Sequence, residues 1–226
     1  MLLVPPALFA RPLAAEVAPP TPTTVVQVAL VALSRSGSFK TVTTSPSLDE
    51  VTLVEPRAHA ATSTSHILGP AGRGVLRVVV TGGSEYLEGD ANGLGDLLRL
   101  LHAPAHTLAL ARSLAGTWLL EPATSVGPVD GFGPSLTGIG HVFCTGAGCT
   151  LAGAKVVAEP PGELVVDVPA FGGDLVLDTT HRFRPLALIG TGARQGLVMR
   201  LAYPTAPAPP IDPPGAFLPA PAAFTS

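Results

Sequence analysis

The chain has 226 residues, of which 46% are hydrophobic and only 13% charged, with 13 Lys+Arg against 16 Asp+Glu. An apolar core is affordable, whereas a charge content about half the roughly 25% of ordinary domains excludes a polycationic nucleic-acid surface and a basic patch for an anionic membrane. Gly and Pro, at 25 each, punctuate the chain too often for a helical bundle.

The first ten residues are apolar, interrupted by Pro5-Pro6, and lead through Arg11 to Leu13-Ala14-Ala15. An apolar stretch followed by small residues resembles the end of a secretory signal, here without a positive start. A plain Ala/Pro leader is the alternative. The Pro/Thr-rich stretch from Ala18 to Thr24 reads as a linker, so residues 1–24 are taken as leader. Val25 to Leu33 is expected to form a short helix, capped by Thr23-Thr24 and stopped by Gly37.

From Ser38 the pattern has period two. Thr41–Thr44, Val51–Val54, Ala60–Ile67, Gly74–Thr81 and Glu85–Glu88 read as strands with one wet face. Leu94, Leu97, Leu98 and Leu101 recur at i, i+3, i+4 and i+7, the apolar stripe of a helix. Pro104 stops that helix or starts a second, which Gly116 ends. The pair either covers a sheet or forms a lid over a cavity. Strands return at His141–Cys144, Cys149–Leu151, Glu163–Val168, Asp174–Thr179, Pro185–Ile189 and Gly196–Tyr203, about eleven in all. Residues 25–203 form the domain, and the Pro-rich tail 204–226 is expected to run as an exposed, extended strap.

The common catalytic signatures are missing. No Ser stands in a G-x-S-x-G frame, and there is no H-E-x-x-H or Walker sequence. His102 and His106 are four apart, but Pro104 between them breaks the helix a shared metal would need. Glu85 and Glu88, three apart on a strand, point to opposite faces and read as solubility charges rather than a catalytic pair. Cys144 and Cys149 flank a four-residue hairpin turn, which places them within reach of a structural disulfide suited to an oxidising compartment. Trp118, the one tryptophan, is a core residue or a ligand contact.

Gly69-Pro70-Ala71-Gly72-Arg73-Gly74 leads into an apolar strand, then Gly82-Gly83-Ser84-Glu85-Tyr86-Leu87-Glu88-Gly89-Asp90, a Leu-rich helical pair, and Ala115-Gly116-Thr117-Trp118-Leu119. This progression resembles the LppX/LprG-like lipoproteins of actinobacteria and the wider LolA-like lipoprotein-carrier superfamily. Their lipid-attachment Cys has no counterpart near the start of this chain. The resemblance implies a curved antiparallel half-barrel wrapped around helices, with an apolar cavity that relatives fill with acyl chains or glycolipids. The expected fold is therefore mainly β (α+β), a half-barrel with covering helices. The expected function is non-catalytic and extracytoplasmic: binding a lipid, a glycolipid or another apolar ligand, without cofactor, metal or nucleic acid. Val78, Val80 and Tyr86 would face the ligand from the sheet, and Leu94, Leu97, Leu98 and Leu101 from the helices, with Trp118 nearby. The rival reading is a ligand-free module of the cell envelope that meets a partner protein through its sheet.

Overall fold

The computed structural model describes residues 20–121 and 151–224, apart from residues 59, 71 and 207. Helix α1 spans Pro22–Ser34, three residues ahead of the expected start. Proline suits the first helical position because its φ is preset and it has no N–H to lose there. The cap is Thr21 rather than Thr23-Thr24: its side chain accepts the Thr24 N–H at 3.2 Å. Residues 22–24 thus belong to the helix and not to a linker.

A meander of five strands follows, β1 (Phe39–Ser45), β2 (Leu48–Glu55), β3 (Ala60–Gly69), β4 (Gly72–Thr81) and β5 (Ser84–Gly89). Gly82 and Gly83, at φ +58° and +75°, make the two-residue turn between the facing pair Thr81 and Ser84. A side chain would oppose both values, and this backbone matches the twist of the flanking strands. Helices α2 (Ala91–Leu100) and α3 (Leu108–Leu114) are joined through a single tight turn at Ala105–Thr107, with Pro104 as its cap. Then come β6 (Leu119–Glu121), β7 (Lys155–Ala158), β8 (Glu163–Val168), β9 (Gly173–Asp178), β10 (Arg184–Gly190), β11 (Val198–Ala202) and β12 (Leu218–Pro219).

Among the described residues these twelve strands form one open, curved sheet, in the order β12-β6-β5-β4-β3-β2-β1-β11-β10-β9-β8-β7. The fold is the mainly β half-barrel with covering helices that the sequence predicts. The pairings are antiparallel except that of β12 with β6. β6, β7 and β12 are absent from the sequence reading. At two to four residues, each is too short to show a period.

The helices lie on one face of the sheet, its inner face, and make two separate cores. In the first, Val25, Val26, Ala29 and Leu33 of α1 pack with Phe39, Val54, Val166, Phe171, Leu175 and Leu188. In the second, Leu94, Leu97, Leu98 and Ala111 of the helical pair pack with Ile67, Leu76, Val78, Leu87 and Leu119. Val80 packs against both.

The tail departs from expectation. It is extended, but it is not an exposed strap throughout. The Thr81 hydroxyl donates to the Ile211 carbonyl at 3.0 Å, and the Phe217 ring stands edge-on to Tyr86 at 5.1 Å. Leu218 and Pro219 then pair with Leu119 and Leu120, and Phe224 is buried in the second core. Prolines exclude an inner strand position but not an edge, and the burial of Phe224, the Phe217–Tyr86 contact and the bonds to β6 and Thr81 together offset the cost of ordering the segment. The sheet domain therefore extends through residue 224.

Candidate functional site

The leucine stripe is real, but what it faces differs from a ligand cavity. Leu94 and Leu98 are fully buried and Leu97 nearly so, packed onto Leu76, Val78 and Leu87. Leu101, just past the helix end, packs against the same cluster from a half-buried position. Glycines let α2 sit directly on the β4 backbone: a Cβ on Gly74 would lie 2.3 Å from the Gly93 nitrogen, and one on Gly93 would lie 2.4 Å from the Val75 oxygen. The Asp90 side chain caps the helix, accepting the Gly93 N–H at 2.7 Å, while the Asp90 N–H donates to Val75 at 3.1 Å. The start of α2 and β4 therefore meet backbone to backbone, with no room for an acyl chain. Leu97 also borders an open cleft of about 290 Å³ lined by Ile67, Leu68 and Leu100.

Val78 and Val80 do face inward. Tyr86 does not: it stands opposite Val79, whereas Leu87 and Glu85 stand opposite Val78 and Val80. Since strand side chains alternate, Tyr86 lies on the outer face, covered by Phe217 of the tail. Trp118 is half-buried just before β6, and its carbonyl accepts the Leu218 N–H at 2.8 Å. The eight residues expected to surround one ligand are thus not brought together: six lie in or against the second core, Tyr86 is on the outer face, and Trp118 stands half-buried ahead of β6.

The inner face of β1–β3 holds an unexpected set of side chains. Thr41 and Thr43 of β1, Thr52 of β2, and Ser63 and Ser65 of β3 are buried, while Val42 and Val51 point outward, 36% and 43% exposed. The registers align them in two rows, Thr43–Glu50–Ser65 and Thr41–Thr52–Ser63. Glu50 accepts from Ser65 at 2.8 Å and from Thr52 at 3.1 Å. The Thr43 and Ser63 hydroxyls are buried and unpartnered, a state that costs free energy unless water or a ligand supplies the missing bond. This polar block lies between the two apolar cores, flanked by Leu201 and Met199 of β11 on one side and Val78 and Leu76 of β4 on the other.

A second polar feature corrects the reading of Glu85 as a surface charge. Glu85 faces inward and stands directly opposite Glu121 of β6. Burial pushes the Glu85 carboxyl up from 4.5 to about 7, and burial together with the Glu85 charge does the same to Glu121. One oxygen of Glu85 has no partner. Glu88, by contrast, lies on the outer face in an ion pair with Arg77 at 2.8 Å. No local sequence signal joins Glu85 to Glu121, because strand pairing alone brings them together.

The remaining candidates are dispersed. His102, two residues past the end of α2, is in a left-handed conformation and His106 sits on the next turn, both exposed. Cys144 and Cys149 lie outside the described residues. Asp178 accepts from Thr180 and from His181 at 2.6 Å, and the Thr180 hydroxyl is the largest cause holding its carboxyl down at about 2. That cluster caps the corner between β9 and β10 and presents no cleft-facing nucleophile. Among the described residues, no helix is long and apolar enough to cross a membrane, and no group of three His, Cys, Asp or Glu could hold a metal ion. Comparison with protein-family models finds no match, and neither does comparison with curated proteins.

Proposed function

We propose that the protein binds an amphiphilic molecule, a lipid or a compound of similar build, on the inner face of β1–β3 between the two cores. What supports this reading is the inverted polarity of these strands: hydroxyls, two of them unpartnered, face inward while valines face outward. A sheet built only to be covered would bury the valines. The hydroxyl rows would take the ligand's polar end. Its apolar part would lie along Val78, Val80 and Leu201, each buried methylene contributing roughly 0.8 kcal/mol. In this proposal the ligand lies beside α2 rather than beneath it. Export, and kinship with the LolA-like carriers, belong to the same proposal.

The ligand-free envelope module is favoured by one specific observation, the direct seating of α2 on β4. The two readings separate on Ser63→Trp. A trough that holds ligand should lose at least tenfold in affinity for a fluorescent fatty-acid probe while the melting temperature changes little. A wild-type protein that binds no such probe, joined to a Ser63→Trp protein that is simply destabilised, would leave the module standing. Native mass spectrometry of protein isolated from its own host adds an independent measure, since a bound lipid appears there as an added mass.

A further inference from the structure

The tail's last described segment is held to the sheet chiefly through β6, a strand of three residues that ends at Glu121. Two backbone bonds fix it there: the Leu218 N–H donates to the Trp118 carbonyl at 2.8 Å, and the Ala220 N–H donates to the Leu120 carbonyl at 2.9 Å. Beyond them Phe224 fills a place in the second core. β6 in turn is joined to β5 over three pairs, and the last of these is Glu85 opposite Glu121, 9% and 8% exposed. Two carboxyls placed directly opposite each other away from water cannot both ionise without repulsion. They are neighbours in place and charge, so they titrate as a pair.

We propose that the Glu85–Glu121 pair is a proton-operated latch: protonated, it lets β6 hold the strap and Phe224 in place, and fully ionised, it drives β6 and the strap away from β5. The surroundings offer no counter-charge among the described residues. Val80, Val78 and Leu76 of β4 and the leucines of α2 are apolar. Arg77 and Glu88 pair with each other on the outer face. Asp96 and Arg99 of α2 pair beside Gly69. Arg112 of α3 and Asp212 of the strap are exposed, and Glu50 on β2 is engaged with Ser65 and Thr52. Burial raises both carboxyls toward neutrality, so the latch would operate near pH 7. Release would uncover the second core at the Phe224 and Leu119 positions and leave the other strands paired, an opening of one part below the cost of global unfolding.

The full-length protein carries its own reporters. Hydrogen exchange of the Leu218 and Ala220 amides, corrected for intrinsic base catalysis, should be at least tenfold faster at pH 8.5 than at pH 5.5. Trp118 emission should shift to the red with a midpoint near pH 7 while far-ultraviolet circular dichroism stays constant. Phe224→Ala should show the fast exchange already at pH 5.5, and Glu85→Gln/Glu121→Gln should show slow exchange at both pH values. Glu121→Gln alone, which removes the like charge with a smaller change to the interior, should move the midpoint. Corrected exchange that is independent of pH in the wild type would overturn the latch. So would loss of the whole sheet's signal together with the strap, or a pH response retained in Glu85→Gln/Glu121→Gln.

Discussion

Gly74→Ala should destabilise the protein by about 3 kcal/mol, read as a melting temperature lower by roughly 6–12 °C. The added methyl would meet the backbone nitrogen of Gly93 at 2.3 Å and its Cα at 2.6 Å. Backbone at the start of a helix cannot swing aside as a flexible side chain can, so α2 as a whole must lift from β4. Lifting it breaks the bond from the Asp90 N–H to Val75 and opens space under Leu94 and Leu98, which are fully buried. Gly37→Ala is the matched control, because nothing lies within 4 Å of its Cβ position. That change should be near neutral. A Gly74→Ala protein that melts within a degree or two of the wild type would show that α2 is not seated as described, and would reopen the space beneath the leucine stripe to a ligand.

The same glycines show how far sequence reasoning reaches. Gly72-Arg73-Gly74 and Gly89-Asp90 stand out in the chain as part of a family-like progression, yet their physical task is visible only once α2 lies on β4. Period two locates β1 to β5 well, since alternation is a local property. It does not say which face turns inward. In Thr41-Val42-Thr43 the usual preference buries the valine, and here the threonines are buried, in the stretch of the inner face that lies between the two cores. The sequence reading places Tyr86 with Val78 and Val80 on the ligand-facing side of the sheet. The register across Gly82-Gly83 fixes it opposite Val79 instead, and a change of one residue reverses every side chain. The leucine stripe at Leu94, Leu97 and Leu98 is legible because helix periodicity is also local. The polar block and the Glu85–Glu121 pair are not, being assembled by strand pairings between residues 7 to 36 positions apart. The packing of the tail is hidden for a related reason: its prolines are conspicuous, whereas the burial of Phe224 depends on a partner surface made of residues far away in the chain.

The carboxyl pair gives the other large effect, a stability that falls as pH rises. A carboxyl whose folded value lies above its unfolded value makes the native state bind extra protons. Its neutral form therefore supports folding fully below pH 4.5, and that support is withdrawn as pH climbs through 4.5 to about 7. A displacement of this size is worth roughly 3 kcal/mol for one carboxyl, so the wild type should melt roughly 6–12 °C lower at pH 8 than at pH 4.5, on the scale of roughly 2–4 °C per kcal/mol. Asp178 acts in the opposite sense, but in another window. Its support is present above 3.8 and is lost only as pH falls toward 2, so it leaves the range from 4.5 to 8 untouched. In Glu85→Gln/Glu121→Gln the carboxamides keep the size and lose the proton, and melting should be nearly flat over that range. The variant should then be the more stable protein at pH 8 and no more stable than the wild type at pH 4.5. This crossing distinguishes buried like charges from general acid or base sensitivity, because a surface effect would shift both proteins together. Parallel melting curves for the two proteins across the range would mean that Glu85 and Glu121 reach water in the native state, and the apolar wall around them would have to be redrawn.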